Sequence, residues 1–127
     1  MVVKRIVANF TAADPGVARK FYEEILELEV VMDHGWILTL AAAETSARPQ
    51  LSFASEGGSG TPVPDVSIEV DDVDLIYKRA KAGGIPIVYG IADEPWGVRR
   101  FYVRDPLGKL LNILSHRSEA PGNQGAV

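Results

Sequence analysis

The sequence predicts an α+β domain built from two similar halves, each reading strand, helix, then three strands. A chain of 127 residues is long enough to bury a real core and short enough to be one domain. Strand and helix signals run in the same order on either side of one Gly/Ser/Pro-rich stretch, residues 55–64 (SEGGSGTPVP). Residues 98–114 (VRRFYVRDPLGKLLNIL) read as two strands joined at Asp105-Pro106-Leu107-Gly108. There Pro106 presets φ at the second turn position, Asp105 caps the turn with its side chain and Gly108 fits its last position.

Residues 2–10 open the first half as a half-buried strand, alternating Arg5, Val7 and Asn9 against Ile6, Ala8 and Phe10. Asp14 as N-cap and Pro15 at the first helical position start a helix over 15–26. Its apolar side is Val17, Phe21 and Ile25, with Leu28 continuing the spacing. Strands follow at 29–33, 36–42 and 49–54, with His34-Gly35 turning between the first two. In the second half, 65–70 is a strand and Asp71-Asp72 opens a helix to about residue 82, with Val73, Ile76, Tyr77 and Ala80 on one side. Asp71, Asp72 and Asp74 are read as helix-start carboxylates rather than a metal cluster. Gly83-Gly84 ends the helix. A strand at 85–89, a loop at 91–97 and the 98–114 hairpin complete the set. The modules are thus about 1–54 and 65–116, with a small, polar tail at 117–127 expected to be disordered.

A net charge of −4 leaves no excess of Lys or Arg to neutralise phosphates, which argues against a nucleic-acid partner. The absence of cysteine excludes disulfides, thiolate metal sites and cysteine nucleophiles, and fits a cytoplasmic protein. No apolar run approaches the roughly 20 residues that span a bilayer. The opening MVVKRIVANF lacks the features of a signal peptide and reads as a strand.

Three strings carry a resemblance: Asp14-Pro15 with Phe21-Tyr22 seven residues on, residues 67–74 (SIEVDDVD), and residues 101–108 (FYVRDPLG). With the paired element order, the chain resembles the vicinal oxygen chelate superfamily of glyoxalase I, extradiol dioxygenases and bleomycin-resistance proteins. The resemblance implies curved mixed sheets around a cavity, helices on the outside, and a homodimer. Its enzymes hold a divalent metal at four strand positions, which fall here on Val7, Ser52, Asp65 and Asn112. Only Asp65 is a common ligand, and a tight site wants three strong ones. No metal or other cofactor is therefore expected. His34, in a turn, and His116, where the chain leaves its last strand, are read as surface histidines.

Strand alternation places Arg5, Val7 and Asn9, then Gln50, Ser52 and Ala54, on the implied cavity face. From the second half it adds Asp65, Ser67 and Glu69, then Val98, Arg100 and Tyr102, then Leu110, Asn112 and Leu114. Asn9, Trp36, Ser52, Asp65, Glu69, Trp96, Arg100, Tyr102 and Asn112 are the candidate ligand-binding residues, the two tryptophans and Tyr102 for stacking. Asp65 or Glu69 is the expected internal partner for Arg100. Asp65 and Glu69 lie about 13 Å apart along a strand, too far to share one proton-transfer step. The expected function is metal-free binding of a small organic molecule in a cavity or dimer cleft. The alternative is a divergent metal-dependent lyase, isomerase or dioxygenase, and a scaffold with a vestigial cavity is a third reading.

Overall fold

In the computed structural model, which describes residues 1–42 and 49–117, the tight turn that joins the last two strands has the geometry its sequence demands. The Asp105 carboxylate accepts the backbone N–H groups of Leu107 (2.8 Å) and Lys109 (2.9 Å). Gly108 takes φ +81° and donates its N–H to the Asp105 carbonyl at 2.9 Å. Of the expected tail at 117–127, residues 118–127 lie outside the described residues.

The elements run β1 (Val3–Thr11), α1 (Val17–Glu24), β2 (Glu29–Asp33), β3 (Ile37–Ala41) and β4 (Gln50–Ala54). A second set follows: β5 (Val66–Val70), α2 (Val73–Ala82), β6 (Ile87–Asp93), β7 (Val98–Arg104) and β8 (Leu110–His116). Two compact units divide the chain, one over residues 7–63, the other over residues 1–6 and from Pro64 on. Within the first the strand order is β2-β3-β4-β1, and within the second it is β6-β7-β8-β5. In both, the first strand of the module pairs parallel with its last, and the other pairings are antiparallel. The two modules therefore share one βαβββ topology, giving the expected α+β class with mixed sheets.

The second module packs as its periodicity implies. Val70, Val73, Phe101, Val103 and Ile113 form the buried cluster, with Ile68, Ile76, Tyr77, Ala80 and Leu111 packed against it. Odd positions of β7 and β8 thus meet the apolar side of α2, and Tyr77 sets its ring edge-on to Phe101 at 4.9 Å. The Asp72 side chain caps α2 by accepting the Leu75 N–H at 3.1 Å. Arg99, the one charged residue on this side, pairs with Asp74 at 3.0 Å and Asp93 at 3.1 Å.

Three expectations are corrected. Helix α1 begins at Val17 with Gly16 as N-cap, because Asp14 and Pro15 form a turn whose carbonyls accept the Val17 and Ala18 N–H groups. Its 17-21-25 stripe does not enter a core: Val17 is 75%, Phe21 54% and Ile25 66% exposed. Tyr22, one position round the helix, makes the inward contact instead, 5.1 Å from the Phe53 ring, so the stripe is rotated away from the sheet. Ile6 and Phe10 are likewise exposed, although Phe10 stacks on Phe53 at 5.6 Å and so keeps the helix side on which it was expected. Finally, β6 runs on to Asp93 where a loop was expected from residue 91. Two register irregularities, between Ile87 and Tyr89 and between Tyr89 and Ala92, absorb Gly90 and let Ala92 and Asp93 pair with β7.

Among the described residues, no helix is long and apolar enough to cross a membrane. Phe101→Ala, in the buried cluster, should cost about 3–5 kcal/mol in urea denaturation. Leu107→Ala, at a residue 82% exposed on the turn, should stay within about 0.5 kcal/mol. Comparable losses would contradict this assignment of the core.

Candidate functional site

Alternation that sends Phe101, Val103 and Ile113 toward α2 must send Arg100, Tyr102 and Asn112 to the opposite face of the same sheet. That face carries Ser67 and Glu69 on β5, Asn112, Leu114 and His116 on β8, and Val98, Arg100 and Tyr102 on β7. Cross-strand register sets Ser67 beside Asn112 and Asn112 beside Tyr102.

Arg100 is the charged centre of this face. It is 1% exposed, and its Nε donates to Glu94 Oε2 at 2.7 Å. Nη1 donates to the Tyr102 hydroxyl at 3.0 Å. The guanidinium carbon lies 4.9 Å from the Trp96 ring centroid, 5.0 Å from Tyr102 and 5.3 Å from Tyr89. Tyr89 also donates its hydroxyl proton to Glu94 at 3.0 Å. The expected partners of Arg100 were Asp65 and Glu69, but the carboxylate it meets is Glu94. The Glu94–Gly97 turn, closed by Gly97 N–H to Glu94 O and by Glu94 N–H to Val98 O, delivers Glu94 and Trp96 together. Trp96 and Tyr102 thus stack on the protein's own cation.

Asn112 and Ser52 hold equivalent positions in the two modules. In the second, the Asn112 Nδ2 donates to Ser67 Oγ at 3.1 Å. In the first, Ser52 shares a 2.7 Å hydroxyl hydrogen bond with Thr39 and lies opposite Asn9. The Asn112 Oδ1 is buried and has no hydrogen-bond partner among the described residues, in a side chain 2% exposed. Asp65 stands just before β5, exposed, with Oδ2 accepting the Leu110 N–H at 2.8 Å. Trp36 precedes β3 in the first module and stacks on His34 at 6.2 Å.

Glu69 is shared between Arg5 and His116. Its Oε1 lies 3.2 Å from Arg5 Nε, and its Oε2 lies 2.6 Å from His116 Nδ1. Burial pushes the Glu69 carboxyl up, yet the His116 hydrogen bond and the charges of His116, Arg5 and Lys4 outweigh it. The net effect holds Glu69 below the usual carboxylate range. His116 Nε2 is buried and has no hydrogen-bond partner among the described residues. His116 is therefore no isolated surface residue. Residue parity along β8 already puts it on the face of Asn112, and that parity is the signal by which sequence could have found it. Glu94 carried a weaker signal, standing two residues before Trp96.

The four positions that resemblance assigns to a divalent metal do not fit one. Val7 offers a hydrocarbon side chain, 1% exposed. The Ser52 hydroxyl is engaged with Thr39, Asn112 offers a neutral amide, and Asp65 bonds the backbone. One carboxylate is too few strong donors. Among the described residues, no group of three His, Cys, Asp or Glu is placed to hold a metal ion.

The profile of the Glyoxalase/Bleomycin resistance protein/Dioxygenase superfamily matches residues 5–113. A structure from Legionella pneumophila described as NAD-dependent benzaldehyde dehydrogenase superposes with TM-score 0.70 at 16% identity, covering 89% of this chain and 100% of that one. Methylmalonyl-CoA epimerase from Mycobacterium tuberculosis gives 0.63 at 19%, covering 89% and 87%. A glyoxalase/bleomycin resistance protein/dioxygenase superfamily member from Vibrio splendidus 12B01 gives 0.59 at 20%, covering 91% and 99%. At these identities the likeness is one of fold. No curated protein sequence matches the chain. With the profile spanning both βαβββ modules, the chain belongs to the Glyoxalase/Bleomycin resistance protein/Dioxygenase superfamily.

Proposed function

We propose that this chain binds a small organic molecule without a divalent metal, on the polar sheet face of the second module. The observation that carries the reading is the Asn112 Oδ1, a buried acceptor with no hydrogen-bond partner among the described residues. Such a group costs about 1–3 kcal/mol to leave unmet. A ligand bringing an N–H or O–H donor recovers that loss, which is why the site selects one. Asn112 sits between Ser67 and Tyr102 in the sheet, so the donor enters a row of neutral polar groups. Arg100, already matched by Glu94, contributes a fixed wall of stacked rings rather than an anion receptor.

The reading includes a cytoplasmic homodimer. Support for the dimer is the exposed Val17, Phe21 and Ile25 stripe on α1, flanked by Lys20 and Glu24 around a shallow depression. A two-fold contact sets such a surface against itself, so that Lys20 of one copy meets Glu24 of the other.

Asn112→Leu keeps the branched shape of the side chain and removes the unmet acceptor. The loss of the Ser67 hydrogen bond offsets that gain, so the variant should unfold near the wild-type temperature. Its binding of phenol, indole or benzamide should weaken at least tenfold by tryptophan quenching. Equal binding by wild type and variant would overturn the assignment. A melting shift that saturates with Ni²⁺, Zn²⁺, Mn²⁺ or Fe²⁺ and disappears in Asp65→Ala would overturn the metal-free reading. Phe21→Glu should convert a dimer to a monomer in sedimentation velocity, and a wild-type monomer would refute the dimer.

A further inference from the structure

We propose that His116, held by Glu69, is a proton acceptor for a ligand carrying a weakly acidic hydroxyl, such as a phenol or an enol. The proposal rests on the reading that this sheet face receives a ligand, and it names the acidic group that ligand brings.

The geometry determines which ring nitrogen is basic. Glu69 is held ionised, so its Oε2 can only accept, and the 2.6 Å contact requires the proton on His116 Nδ1. In the neutral ring the lone pair is then on Nε2, which is buried without a hydrogen-bond partner among the described residues. A purely structural ion pair has no need of that second nitrogen, and leaving it unmet is costly. Arg5 occupies the other oxygen of Glu69 at 3.2 Å, which keeps the carboxylate from turning away. The cross-strand neighbour of His116 is Val98, and Leu114 precedes it on the same face; both are fully buried and apolar. The His116 side chain is 23% exposed at the end of β8, so it borders solvent while Nε2 is buried.

Proton transfer at this site balances without a co-reactant. The ligand O–H bond breaks, its electron pair stays on oxygen, and the proton forms an N–H bond at Nε2. The imidazolium then donates from Nδ1 to Glu69 and from Nε2 to the new oxyanion. Arg5 and Glu69 cancel each other's charge, and Lys4 is the further cation acting on Glu69, so the imidazolium and the oxyanion form their own neutral pair. Residues that serve this arrangement without touching the ligand are Glu69 and Arg5, as positioning groups.

The test uses the full chain and 4-nitrophenol, whose anion is yellow and whose neutral form is not, below the pH at which the free phenol ionises. Phenolate absorbance should rise saturably with wild-type protein. It should fall at least tenfold with His116→Gln and with Glu69→Gln, whose melting curves report whether each is folded. Nitrogen-15 imidazole shifts, independent of any ligand, should show the neutral ring protonated at Nδ1. Protonation at Nε2 instead would overturn the proposal. So would saturable tryptophan quenching without phenolate formation, which would leave the binding reading standing. Neither quenching nor phenolate would overturn the proposal as well.

Discussion

A guanidinium buried to 1% exposure must have its charge and its donors met by the protein, and the second module is organised around meeting that demand at Arg100. Glu94 supplies the charge, and the Tyr102 hydroxyl takes a second donor. Tyr89 ties Glu94 down, and three rings enclose the cation. A buried pair of this kind adds little net stability over a well-packed apolar one. Breaking it, however, leaves a bare charge. It therefore constrains geometry: the Glu94–Gly97 turn, the bulged register of β6 and the face presented by β7 must all agree with it.

The other polar groups on the face make contacts of their own. Arg100 engages Glu94 and Tyr102, while Asn112 donates its amide N–H to Ser67 and its Oδ1 has no hydrogen-bond partner among the described residues. Glu69, not needed by Arg100, is available to Arg5 and His116. Two acceptors, one neutral amide and one imidazole nitrogen, thus lie on one strand with the buried, apolar Leu114 between them. Among the described residues, this face gives a divalent cation too few strong ligands.

The module order was legible because its signals are local. The Asp105–Gly108 turn, the Asp72 cap and the period-two alternation of β5, β7 and β8 act over a few residues and were not overridden. The apolar stripe of α1 was equally visible, but periodicity says only that Val17, Phe21 and Ile25 share a side, not that the sheet lies beneath it. Tyr22 settled that through a contact with Phe53, thirty-one positions away. The candidate site was partly legible for the same reason. Parity put Arg100, Tyr102, Asn112 and Glu69 on one face. Parity also placed Arg5, and could have placed His116, but which of these groups pair, and that Glu94 reaches Arg100, depends on how a turn closes and on which strands become neighbours.

The most direct test of the central claim, that the second module's polar face receives the ligand, is an amide-resolved NMR titration with phenol. The account predicts saturable shifts at the Asn112 side-chain amide, the Ser67 backbone and the Trp96 indole N–H, unchanged by a metal chelator. Shifts confined to α1 residues such as Phe21 and Ile25, or shifts abolished by the chelator, would contradict it.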